Sequence, residues 1–196
     1  MNLQNKTLVF FLILLVCMSA VVTIISNSLI TREFSEIEGL EVLHENEKIE
    51  LIIRSQISAL ERTNIDWAYW DDTYNFMMDK NEEYLQSNLQ DDTFMTLRLN
   101  YMIFINNSNE IVYAKSFDLD KNEEIQVSNE LIGIVRELDK LGNNANSPDV
   151  KGLIVLPDGP AFITSKQILK STRLGPPRGK LIFVRGISDY ELNTLA

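Results

Sequence analysis

Apolar positions run almost without interruption from Leu8 to Ile25, and extending the run to Ile30 gives roughly the 20 residues with which a helix crosses a bilayer. The run exceeds the apolar core of a cleaved signal peptide, about 7–15 residues, and helical patterning continues past it without a break. Cys17 follows Val16, not the small residue that lipoprotein processing needs. Lys6 and the amino terminus lie on one side and acidic sequence on the other, so the positive-inside rule puts the terminus in the cytoplasm and the remainder outside. Residues 1–30 are therefore expected to be a cytoplasmic tip and a transmembrane signal anchor in the cell membrane. From Thr31 to Arg62 the pattern becomes periodic: Phe34, Ile37, Leu40, Ile49, Ile52, Ile53, Ile57 and Leu60 recur at three- and four-residue steps, with glutamates on the other faces. This predicts a long stalk helix over 31–62. Its apolar seam must be covered, by a second copy in a homodimer or by the chain's own domain.

Shorter periods follow. Asp79 and Glu82 have capping-box spacing before a short helix at Tyr84–Leu89, and Asp91 or Asp92 is placed to cap a turn through Phe94 and Leu97. Strand formers then dominate Leu97–Ile105 and Ile111–Phe117, with a turn at Asn106–Asn109 between them. Ser128 is placed to cap a helix with Leu131, Ile134, Val135 and Leu138 as its buried stripe, Val127 and Ile132 as staple and Gly142 as its stop. After a loop at 143–148 come strands at Val150–Leu156, Ala161–Ile168 and Lys180–Ile187, with turns at Pro157–Pro160 and Gly175–Gly179. Residues from Ser188 begin another helix, with 191–196 expected to lead toward a second membrane span beyond the sequence. The predicted fold class is α+β: a transmembrane helix, a stalk, and a PAS-like domain over 63–190 with a five-stranded antiparallel sheet covered by helices.

Composition narrows the chemistry. A net charge of −10 repels phosphates, so no nucleic-acid partner is expected. One cysteine excludes a disulfide within the chain, and the single histidine, His44, cannot build a zinc site alone. No metal or cofactor is expected. Nucleophile-elbow, phosphate-loop and dinucleotide motifs are absent, and adjacent acids such as Asp71 and Asp72 diverge by about 100° on a helix, so no catalytic residues are assigned. A pilin-like subunit shares the outline but needs a processing glycine before the apolar run.

The densest chemistry is Asp66-Trp67-Ala68-Tyr69-Trp70-Asp71-Asp72-Thr73-Tyr74-Asn75-Phe76. On one continuous helix, Trp67, Trp70, Tyr74 and Met78 share a stripe with Asp71 in its middle, while Asp72 and Phe76 point away. Two readings stay open. In one, the aromatic rings wall a pocket and Asp71 or Asp72 takes an amine. In the other, the segment is a structural clamp, with Asp66 capping a helix and Asp71 paired internally to Arg185.

This run, with Tyr84, Asn88-Leu89, Gly159-Pro160, Ile168, Gly175-Pro176-Pro177-Arg178-Gly179 and Arg185-Gly186, resembles the CHASE-type extracellular sensor domains of the fourth class, over roughly Ile52 to Ala196. The resemblance implies a sensor related to Cache and PAS-like domains, held outside the membrane and coupled to a cytoplasmic histidine kinase, diguanylate cyclase or chemoreceptor module that this sequence does not reach. In PAS-like sensors ligands sit between the sheet and the elements crossing it. Polar positions on the predicted strands, Asn100, Tyr113, Lys115, Ser165 and Arg185, therefore join Trp67, Trp70, Asp71 and Tyr74 as candidate ligand contacts. Arg185 is suited to a carboxylate, which it can grip with two hydrogen bonds. The expected function is sensing of an amine- or carboxylate-containing small molecule by a membrane receptor. The alternative is a membrane-anchored accessory protein that captures ligand without signalling.

Overall fold

The computed structural model describes residues 3–142 and 149–188. The predicted loop at 143–148 and the helix expected beyond Ser188 lie outside the described residues. The chain divides into two compact units, Met1–Leu51 and Ile52–Ala196. Helix α1 (Leu3–Ala68) supplies most of the first unit and opens the second. Within the first unit, the described side chains between Leu8 and Ile25 are exposed, including Phe10, Phe11, Leu15 and Ile24. Among the described residues no helix is long and apolar enough to cross a membrane, so the expected transmembrane helix is not found among them. Phe34, Ile37, Leu40 and His44 lie outside the described side chains.

In the second unit the end of α1 lies on its own domain. Leu60 is fully buried, and Ile53 and Ile57 pack against the same core. This half of the periodic seam is thus covered from within the unit, as an amphipathic helix on a sheet requires. Three short helices follow: α2 (Asp71–Asp79), α3 (Glu82–Asn88) and α4 (Asp91–Leu97). The capping of α3 differs from the expected box. Asn81, not Asp79, accepts from the Tyr84 backbone N–H, at 2.8 Å, while Asp79 accepts from the Asn81 amide at 2.7 Å. Helix α4 consumes Leu97 and ends on Arg98 in the left-handed region (φ 53°), so the predicted strand from Leu97 begins only at Tyr101.

The strands are β1 (Tyr101–Ile105), β2 (Ile111–Asp118), β3 (Glu123–Ile125), β4 (Val150–Leu156), β5 (Gly159–Gln167) and β6 (Lys180–Gly186), with α5 (Asn129–Gly142) between β3 and β4. They form one antiparallel sheet in the order β3-β2-β1-β6-β5-β4. Six strands stand where five were expected. The extra one, β3, is three residues long and carries two glutamates, so it shows no apolar alternation to read. Ser128 caps α5 as expected, accepting from Leu131 N–H at 3.1 Å.

Alternation along the strands separates two cores. Met102, Phe104, Phe117, Phe162, Leu181 and Phe183 meet Leu60, Tyr74, Phe76, Tyr84 and Phe94 on the face covered by α1 to α4. Tyr101, Ile103, Ile105, Ala161, Ile163, Ile182 and Val184 meet Leu131 and Val135 of α5 on the other. Polar groups pin α1 to the first face. Asn64, fully buried, donates to Thr164 O and Oγ1 at 3.0 Å each and to Leu181 O at 3.1 Å. Lys166 pairs with Glu61 at 2.7 Å and Asp149 at 2.9 Å.

Candidate functional site

The aromatic segment is not one helix. Tyr69 and Trp70 break it without proline or glycine, and the cause is tertiary. A strap formed by residues 168–179, between β5 and β6, lies against the break. Leu169 N–H donates to the Ala68 carbonyl at 3.0 Å, closing the end of α1, and Trp70 N–H reaches only Trp67 O, at 3.4 Å. Trp70 is extended (φ −84°, ψ 136°) and Asp71 starts α2. The new phase overturns the predicted stripe: Phe76 is buried at 1% exposure, whereas Met78 is 69% and Trp70 46% exposed. Asp66 sits within α1, exposed, and caps nothing.

Asp71 does not pair with Arg185. Its carboxylate accepts from Ser171 N–H at 3.0 Å and Ser171 Oγ–H at 2.9 Å, and these bonds hold its pKa below the usual carboxylate value. Tyr74 is buried, with the Arg178 guanidinium 3.8 Å above its ring and the Lys170 ammonium 5.6 Å away. Arg178 also donates to Tyr74 O at 2.9 Å, and Tyr74 Oη–H donates to Pro176 O at 3.1 Å. Trp67 is half-buried, its ring 5.5 Å from Trp70 and 6.2 Å from Phe183. Next to them the Tyr84 hydroxyl meets Thr73 Oγ1 at 2.7 Å, and burial pushes its pKa up to about 12. The cations that sit over Tyr74 come from the strap itself.

The other candidates fall in three places. Tyr113 and Lys115 lie on β2. Tyr113 packs at 6.0 Å from Phe104, and burial raises its hydroxyl pKa. Lys115 is buried, with Asp91 at 2.6 Å, Glu124 at 3.2 Å and Leu89 O at 3.3 Å, so it clips β2 to β3 and to the start of α4. Its two acids raise its pKa against the lowering effect of burial. Ser165 is buried on the α5 side of β5, across the sheet from Thr164 and Lys166.

Asn100 and Arg185 come together at the end of the sheet. Asn100 Oδ1 accepts from Gly186 N–H at 2.7 Å, and its Nδ2 donates to Phe117 O at 3.3 Å. Arg185 donates from Nε to Arg98 O and from Nη2 to Leu97 O, both at 3.0 Å, and so closes the carboxyl end of α4. Both residues line a cleft of about 480 Å³. Its charged lining is Arg98, Arg185, Asp118, Asp120 and Asp158, with Phe117, Leu156 and Ile187 among its apolar surfaces. Asp118 is held charged by the backbone N–H groups of Asp120 and Lys121 and by the Lys121 ammonium at 3.0 Å, which depress its pKa. Arg98, Asp118 and Asp158 escaped the sequence reading because only the strand order joins the β2–β3 turn, the β4–β5 turn and the end of α4. The Pro157–Pro160 turn marked Asp158 as exposed and nothing more.

The family model of the CHASE4 domain matches residues 52–196. The chain belongs to the CHASE4 family. The match coincides with the second compact unit, so the CHASE4 domain is the sheet with its covering helices and the last turns of α1. Over 163 residues the chain is 25% identical to the methanogenesis regulatory histidine kinase FilI of Methanothrix harundinacea (strain 6Ac), covering 82% of this chain and 18% of that kinase. The CHASE4 fold also superposes on the extracellular domain of vpHK1S-Z8, described as a histidine kinase, with a TM-score of 0.54 at 15% identity. That match covers 79% of this chain and 60% of the other. A domain from Vibrio parahaemolyticus, described as of the sensory box/GGDEF family, gives 0.52 at 10% identity, covering 79% and 62%. At such identities the two structures bear on the fold alone. This CHASE4 chain is thus similar in sequence to a histidine kinase, and in fold to the extracellular domain of another and to a domain of a sensory box/GGDEF-family protein.

Proposed function

We propose that this CHASE4 chain is the extracytoplasmic, ligand-sensing part of a membrane signal receptor whose output is a kinase or cyclase module. The observation that carries the reading is the family match over the whole second unit, together with likeness to the sensor portion of a histidine kinase. The uncharged run from Leu8 to Ile25 supports an anchor ahead of that unit, and this part of the reading rests on the sequence. The sheet-end cleft is the ligand site in this reading. It offers a concave volume with apolar walls and a few polar groups, as ligand sites do, and its lining includes one end of β5 and of β6, the strands to which Asn64 bonds α1 further along, at Thr164 and Leu181. Ligand binding would favour one of two arrangements of sheet and α1, and a homodimer would pass the difference to the membrane.

Cysteine labelling of intact cells tests the orientation. A Ser108→Cys variant in a Cys17→Ser background should react with a membrane-impermeant maleimide before lysis. Reaction only after lysis would overturn the outward placement of the sensor. The accessory-protein reading shares this topology and differs in having no output module downstream.

A further inference from the structure

Building on the sensor reading of the cleft, we propose that the sheet end binds a small zwitterion, the size of an amino acid or dipeptide. Its carboxylate sits at Arg98 and its ammonium at Asp158. The alternation of the sheet divides the charges. Asn100 and Arg185 follow the phase of Met102 and Phe183, on the face covered by α1 to α4, and Arg185 ties itself to the end of α4 that carries Arg98. Tyr101 is on the α5 face, and the charges of both Asp118 and Asp158 act on its hydroxyl and on the Lys121 ammonium. One cleft therefore has the Arg98 guanidinium toward one face and the carboxylates of Asp118 and Asp158 toward the other, with Asp120 as a third acid in its lining and Phe117, Leu156 and Ile187 available to a ligand's apolar part.

Among the described residues, no ion pair or side-chain hydrogen bond engages the Arg98 guanidinium or the Asp158 carboxylate. Arg98 is nonetheless held in place. Its backbone is in the left-handed region, its N–H is bonded to Met95 O and Phe94 O, and its carbonyl is fixed by Arg185. Arg185 is thus a positioning residue and Arg98 the group presented to ligand. The Lys121 ammonium already pairs with Asp118 at 3.0 Å, so Asp158, with Asp120 in the same lining, is what the acidic wall leaves to a ligand. A monoanion would leave that wall unbalanced, and a monocation would do the same for the guanidinium. A molecule carrying both charges, small enough for a cleft of about 480 Å³, satisfies both walls.

The test uses the full chain in detergent micelles. Each of the twenty amino acids and the dipeptide Leu-Leu are screened by thermal shift, and hits are titrated by calorimetry. Isoamylamine and isocaproate, which are leucine without its carboxylate and without its amine, form the control arms. At least one zwitterion should raise Tm, and Arg98→Gln or Asp158→Asn should weaken its Kd roughly tenfold or more while leaving the unliganded Tm in place. Stabilisation by isoamylamine or isocaproate alone that these variants abolish would overturn the zwitterion and keep the cleft as a ligand site. No stabilisation in any arm, or hits untouched by both variants, would overturn the cleft itself. The orientation of the sensor is read separately, by the Ser108→Cys labelling.

Discussion

Asp71 and Asp158 are both exposed carboxylates at the ends of regular elements, yet their surroundings are opposite. Asp71 opens α2 and receives two hydrogen bonds from Ser171. Around it Arg178 covers the Tyr74 ring, Arg173 lies 4.9 Å over the Tyr69 ring, and Leu169 closes α1. Asp71 and the Ala68 and Tyr74 carbonyls of the aromatic segment are thus matched from inside the fold. Asp158 projects from the β4–β5 turn into a cleft where, among the described residues, no hydrogen bond engages its side chain. A region that satisfies itself holds the domain together. A region that presents charges of both signs to a concave space is available to something else. Richness in aromatic rings and acids is therefore a poor guide to which is which.

The sharpest way to test the contrast is to remove an aromatic group from the self-satisfied side. Phe76 stacks on Tyr84 at 4.6 Å and meets Phe104 edge-on at 5.3 Å, so Phe76→Ala should destabilise the CHASE4 domain by about 3–5 kcal/mol in urea melts. Next is Lys166→Met, which leaves Asp149 without its ammonium and Glu61 with Lys151 alone, at 2.7 Å. A loss of about 2 kcal/mol is expected, below the full cost of breaking a buried pair because Asp149 is partly hydrated. Smaller again is the acid limb of the stability curve. Asp71 and Glu61 both have pKa values lowered in the fold, so their contribution is complete above their unfolded values and is lost as pH falls through the depressed ones. Thermal melts of Asp71→Asn between neutral pH and pH 3 should show a shallower acid loss than the parent, and identical slopes would refute the Ser171 bonds. The least effect belongs to the cleft: Arg98→Gln and Asp158→Asn should each change stability by no more than about 0.5 kcal/mol. A larger loss would make the cleft another clamp.

Much of the fold was legible because it follows from periodicity. The stripe through Ile53, Ile57 and Leu60, the Asn106–Asn109 turn, the Ser128 cap and five of the strands are local patterns. The break at Tyr69 and Trp70 was not legible. It is imposed by a strap one hundred residues later, and no proline or glycine marks it. Strand β3 escaped because its pairing depends on a turn with Asn122 in the left-handed region, while its own residues are charged. For the site, Asn100 and Arg185 were recognisable as polar positions on predicted strands. The residues that make their neighbourhood a cleft were not, since sequence carries no record of which turns a sheet order brings together.

Asn64 has one more consequence. Its amide group fits three acceptors that belong to two adjacent strands, and the residues on either side of it are Thr63 and Ile65. Sliding the helix by one residue, a rise of about 1.5 Å, would put a different side chain opposite Thr164 and leave the buried Asn64 amide without these bonds. Asn64 therefore acts as a detent: the helix stays fully seated or leaves the notch altogether, and graded displacement has no resting point.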